Sequence, residues 1–139
     1  MTPEEIARKC ADLLWADDKA SAALGIRIEK VAPGTAELTM LIQDSMTNGH
    51  GTCHGGYIFA LADSAFAFAC NTYNQRCVAQ HCSIAYLAPA RKGMRLRATA
   101  LERQRVGRDG VYDIAVVDDT GAIIAEFRGH SRTVAGTYF

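Results

Sequence analysis

The chain of 139 residues has three prolines, one tryptophan and no tract dominated by a few residue types, which excludes collagen-like, low-complexity and disordered chains. No run reaches the ~20 apolar residues of a membrane span; the longest nearly apolar stretch, 57–70, is broken by Asp63. Fifteen basic residues balance fifteen acidic ones, so the excess positive charge of a general nucleic-acid binder is missing. The five cysteines (Cys10, Cys53, Cys70, Cys77, Cys82) are odd in number and irregular in spacing, and the start MTPEEIARKC lacks the basic-then-apolar build of a signal peptide. Reduced thiols and a cytoplasmic location are expected. The length suits one domain, 1–139, and with 49% apolar residues its core needs no metal or disulfide staple.

Periodicity supplies the architecture. Thr2-Pro3 followed by Glu4 and Glu5 is a helix start, and Ile6, Cys10, Leu13 and Leu14 give the first 15 residues one apolar face. Residues 26–29 alternate, Pro33-Gly34 is a turn, and Ala36, Leu38, Met40 and Ile42 recur at period two, so a hairpin is expected. The stretch from Tyr57 is too long for a usual strand, and its five alanines favour a helix, apolar on every side and therefore buried all round. Four strands follow, over 78–87, 94–100, 111–117 and 122–133. An α+β fold in which about six antiparallel strands curl round one central helix, with a second helix at the N-terminus, covers a helix that has no polar face.

Asp63 is the first candidate site residue. An ionised carboxylate in apolar surroundings costs several kcal/mol unless paired or solvated, so packing does not account for it. It reads as a general base or nucleophile; the competing reading turns it to a wet edge. The second feature is Asn48-Gly-His-Gly-Thr-Cys-His54-Gly55-Gly56, which runs into the same helix. Glycines there permit close backbone approach, and free N–H groups at a helix start can hold an oxyanion. Gly55 and Asp63 are eight residues apart, about 12 Å of helix rise, too far for both to touch one carbonyl of a single chain. If they serve one substrate, two copies of the chain must share sites.

Other patterns carry less. Gly51-Thr-Cys53-His-Gly55 has the form of a nucleophile elbow without the parallel sheet that elbow requires, and His50, Cys53 and His54 lack a second ligand cluster, so no metal is expected. His81 reads as a core or edge histidine. Between Arg91 and Arg108 lie seven basic residues against one acidic. Arg95 and Arg97 share one strand face, which predicts solvated charges, whereas Arg91, Lys92, Arg103, Arg105 and Arg108 lie towards the strand's ends, where loops gather phosphates.

The motif from Asn48 to Gly56, continued by Phe59-x-Leu-Ala-Asp63-x-Ala-Phe-Ala-x-Ala-Cys-Asn71, resembles the hotdog-fold acyl-CoA thioesterases of the phenylacetic acid degradation (PaaI) family, and the likeness extends through Gly110-Val-Tyr-Asp-Ile114 and Phe127-Arg-Gly129. The resemblance implies a hotdog fold, dimers paired into a homotetramer, and cofactor-free hydrolysis of aryl-acetyl-CoA thioesters. It implies Asp63 as the catalytic carboxylate, Gly55 as the amide that polarises the carbonyl, and Asn48 as the side chain that helps place water or carboxylate across the dimer interface. Beyond those three positions, His54, Gly56 and Tyr57 are expected at the substrate, Arg91 and Arg108, grouped by their charge, at the CoA phosphates, and Tyr57, Phe66 or Phe68 along the acyl pocket. The chain departs from the pattern at Ala88, where relatives often have Arg, and at Met94, where they often have Asp. The same cleft would serve a non-catalytic acyl-CoA-binding or sensing protein, or a hydratase pairing an acid with His54 or His81. No nucleic-acid or membrane partner is expected.

Overall fold

A computed structural model describes residues 1–139. Helix α1 (Pro3–Asp17) starts where Thr2 caps it, its hydroxyl accepting the Glu5 N–H at 3.1 Å; a short α2 (Lys19–Ala23), capped by Asp18, follows. The expected hairpin is β1 (Arg27–Ala32) and β2 (Thr35–Leu41), turned at Gly34, whose φ of +73° suits glycine. Helix α3 (Gly55–Cys70) leads into β3 (Cys77–Tyr86), β4 (Arg95–Val106), β5 (Asp109–Val117) and β6 (Ile123–Thr133).

The six strands form one antiparallel sheet in the order β1-β2-β4-β5-β6-β3, leaving β1 and β3 as edges. Leu38 and Met40 of β2, Leu96 and Ala98 of β4, Ile114 and Val116 of β5 and Phe127 of β6 alternate towards α3 and are buried. Leu61, Phe66 and Phe68 answer them from the helix, each stabilising the fold by roughly 1.5–3 kcal/mol on transfer out of water. Phe66 lies over Gly129, where an added Cβ would come within 2.8 Å of the ring, so this strand must be bare for the helix to seat. The arrangement is the hotdog fold.

Two expectations need correction. Helix α3 is not buried all round: Gly56 is exposed, and Ala60, Asp63 and Ala67 beside it on one stripe are only half-buried, because the sheet ends at β3 before wrapping that side. The charges of Arg95 and Arg97 are not simply solvated: Arg97 pairs with Glu37 at 3.1 Å, and one guanidinium nitrogen of Arg95 is buried without a partner. No helix is long and apolar enough to cross a membrane.

Candidate active site

The loop before α3 is built from short-range bonds. Isolated bridges join Thr47 to Cys53 and Thr52 to Arg91. The Cys53 N–H donates to the Ala90 carbonyl at 2.7 Å, and the His54 N–H to the Met46 carbonyl at 2.8 Å. Asn48 turns the loop: its Oδ1 accepts the N–H groups of His50 (2.9 Å) and Thr52 (3.3 Å), while its Nδ2 finds no acceptor in the chain. Cys53 is buried, with Sγ turned to the His54 carbonyl and its thiol pKa pushed up by burial, opposite to what a nucleophile elbow needs.

This loop delivers a helix start whose first donor is left over. His54 is the N-cap, its Nδ1 accepting the Gly56 N–H at 2.9 Å, and the Tyr57 N–H donates to the His54 carbonyl at 3.0 Å. The Gly55 N–H has no acceptor in the chain, and it sits at the positive end of a 16-residue helix. Gly55 is held from the other side by Tyr86 of β3, whose hydroxyl donates to its carbonyl at 2.9 Å and whose ring lies 3.0 Å from where a Cβ would stand. Any larger residue at 55 would have to push that ring aside.

Two turns along, Asp63 projects from the uncovered stripe. It pairs with no cation; its one contact is the Cys82 thiol of β3, at 4.0 Å from Oδ1. Burial pushes its pKa up from the ordinary aspartate value, since nothing nearby repays the lost hydration of the charge. Such a carboxylate is a stronger base than a solvated one.

A cleft of about 410 Å³ opens beside Gly55, walled by Ile58, Tyr86, Leu87 and Ala88 with Cys53 at its base. Sequence reasoning missed these walls, because they depend on how the edge strand lies against the helix start. Of the residues expected there, Phe66 and Phe68 are instead core, the first against Tyr112 and Phe127 and the second against Trp15; Tyr57 is half-buried, edge-on to the His54 ring. Arg91 stands at the Asn48 loop, but Arg108 lies in the β4–β5 turn near Cys70, about 24 Å away along α3. His81 is exposed on the edge strand, its ring 5.4 Å from that of His130.

Comparison with known proteins gives the family. Residues 50–125 match the model of the thioesterase superfamily. The chain is 42% identical to the acyl-coenzyme A thioesterase PaaI of Escherichia coli over 91% of each protein, and 31% identical to a putative esterase of Archaeoglobus fulgidus over 90% of this chain and 81% of that one. The solved structure of E. coli PaaI superposes with a TM-score of 0.96, covering 98% of this chain and 99% of that one at 40% identity. A mutant of the phenylacetic acid degradation protein PaaI of Thermus thermophilus superposes at 0.79, covering 82% and 97% at 37% identity. With an unpaired amide and a desolvated carboxylate on the helix of a hotdog fold, the chain belongs to the thioesterase superfamily, within its PaaI family, and is a thioester hydrolase.

Proposed function

We propose that the chain hydrolyses aryl-acetyl-CoA thioesters, of the phenylacetyl or hydroxyphenylacetyl type, to the free acid and CoA, in a cytoplasmic homodimer with shared sites that pairs into a tetramer. The observation that carries the reading is Asp63, a desolvated carboxylate on α3 that no cation of the chain neutralises. The apolar cleft beside Gly55 suits an aryl-acyl group, and the name of the E. coli relative supports a CoA thioester. In this reading the Gly55 N–H receives the developing oxyanion, worth about 3 kcal/mol of barrier, while Asp63 activates water or attacks the carbonyl itself.

Symmetry supports the shared site. A two-fold axis that sets Gly55 of each copy against Asp63 of the other must run the two α3 helices antiparallel, since a parallel pair cannot satisfy both contacts at once. The centre then falls at Phe59. On β3, Tyr86 accompanies Gly55 and Cys82 accompanies Asp63, so the centre falls at Ile84; four strand residues span about 13 Å and eight helix residues about 12 Å, and the two elements agree. The sequence of β3, CVAQHCSIAY, carries no charge or proline to guard its edge, whereas β1 carries Arg27, Glu29 and Lys30. Antiparallel helices also bring the Arg108 end of one copy to the Arg91 end of the other, where together they hold the CoA phosphates. Asn48, with its free Nδ2, and His54, Gly56 and Tyr57 line the approach.

The test is release of free thiol from a panel of aryl-acetyl-, benzoyl- and straight-chain acyl-CoAs by the wild type and Asp63→Ala. Loss of release in the folded variant, with aryl-acetyl esters fastest in the wild type, supports the reading. An unchanged rate in Asp63→Ala overturns it, and CoA-ester binding without release would move the chain to a sensing role.

A further inference from the structure

Of the five free cysteines, Cys70 and Cys77 line one small cavity together, with the Asn71 side chain reaching both. Cys70 is the last residue of α3 and is buried; Cys77 is the first residue of β3 and is half-buried. Asn71 holds the two ends in place without a covalent bond. Its Nδ2 donates to the Cys77 carbonyl at 3.2 Å and lies 3.5 Å from the Cys70 sulfur, and its Oδ1 accepts the Cys77 N–H at 2.8 Å. A cavity of about 20 Å³, room for one water-sized molecule, opens beside both sulfurs. We propose that Cys70 and Cys77 form an oxidisable dithiol, a modification site at which a hydroperoxide converts the pair reversibly into a disulfide.

The two members have different surroundings. Cys77 meets Thr133 of β6 at 3.6 Å and lies near the guanidinium of Arg105 of β4, which sits 3.7 Å from the centre of the Tyr73 ring; Arg108, Asp109 and Tyr112 complete the charged and titratable lining. The Cys70 thiol, Thr133 and Arg105 favour the Cys77 thiolate and bring its pKa down to about 6, against an opposing effect of burial. Cys70 is pushed up by its neighbour and by burial, and stays protonated. The Cys77 thiolate attacks a peroxide oxygen, giving a sulfenic acid as the O–O bond breaks and hydroxide leaves. Cys70 then attacks that sulfur; the S–S bond forms, and the hydroxyl departs as water with the Cys70 proton. The sulfurs are reduced again by an external dithiol. Neither step uses Asp63 or the Gly55 amide, and the oxidation is read on the sulfurs themselves, although Arg108 belongs both to this lining and to the proposed phosphate site.

The test is alkylation and peptide mass analysis of the whole reduced protein before and after hydrogen peroxide, alongside Cys77→Ser and Cys70→Ala. At pH 7, iodoacetamide should label Cys77 about tenfold faster than Cys82, with half the maximal rate near pH 6. Peroxide should join the peptides of Cys70 and Cys77 with loss of two hydrogens, reversibly by dithiothreitol. Cys77→Ser should abolish the link, and Cys70→Ala should leave a sulfenic acid on Cys77 that dimedone traps. Labelling of Cys77 no faster than Cys82, or oxidation of Cys77 to the sulfinic acid without a link to Cys70 in the folded wild type, would overturn the proposal.

Discussion

The two ends of α3 are finished in opposite ways. At the C-terminal end side chains of the chain itself close the turn: Asn71 donates to the Ala67 carbonyl at 2.9 Å, and its Oδ1 accepts both the Cys77 N–H and the Tyr138 hydroxyl at 2.8 Å, while the Thr72 hydroxyl donates to Ala69 and accepts the Gly34 N–H. At the N-terminal end one cap, the His54 ring, takes the Gly56 N–H, and the Gly55 N–H is left unpaired beside an open cleft. A helix end that only has to be stable is sealed by side chains; on the proposed function the other end keeps a donor free for the oxyanion and accepts the weaker fold. Chemistry and stability should therefore separate when the two ends, and the carboxylate between them, are altered.

The largest effect is expected at Asp63. Asp63→Asn should lower kcat by about 10²–10⁴, the range for loss of a positioned base, measured as thiol release. Its stability should move the other way. Because burial raises the folded-state pKa, the folded protein keeps the Asp63 proton to higher pH than the unfolded chain, and stability falls as pH rises from the ordinary aspartate range through the raised value. Asparagine escapes that loss, so Asp63→Asn should melt above the wild type at pH 7, and the gap should close below about pH 4. The same shift puts the acid limb of the wild-type rate profile above the ordinary aspartate range. A variant that loses activity and melts lower would mean that Asp63 is structural.

Asn71→Ala is the opposite case. It removes the partners of Cys77, Tyr138 and Ala67 in a nearly water-free corner, and should cost about 2–4 kcal/mol in denaturant unfolding. Turnover per folded molecule should stay within about twofold of wild type at 25 °C, since the corner lies two helical turns from Asp63 in the same copy. His54→Ala should fall between, losing about 1 kcal/mol of cap and, if His54 lines the proposed approach, showing a raised KM.

How much was readable in the sequence follows the same division. Helix α3, the 33–34 turn and the inward-facing residues of β2 and β4 were legible because one long apolar run and strict period-two alternation are local signals. The outer half of β4 was not: Arg103, Gln104 and Arg105 show no alternation, since the strand bulges between Glu102 and Gln104 and runs past the core. The five-residue α2 is too short to show a period and is recognisable only by its Asp18 cap. At the site, Asp63 and Gly55 stood out as a lone charge and a bare helix start. Tyr86 and Ile58 did not, because a cleft wall is a relation between elements distant in sequence. Arg108 was grouped with Arg91 by charge alone, and the length of α3 separates them within one chain.

Tyr86→Phe is the smallest change and bears most directly on the contrast between the ends. The hydroxyl bond to the Gly55 carbonyl is the one tie from β3 to the helix start, and it is partly exposed, so its loss should cost about 0.5–1 kcal/mol in unfolding. The ring remains, and with it the cleft wall that crowds Gly55, so kcat/KM should fall by no more than about fivefold. Should Tyr86→Phe instead destabilise the protein as much as Asn71→Ala, the N-terminal end would be as tightly sealed as the C-terminal one. The unpaired Gly55 amide would then reflect a fold held elsewhere rather than a donor kept for the substrate.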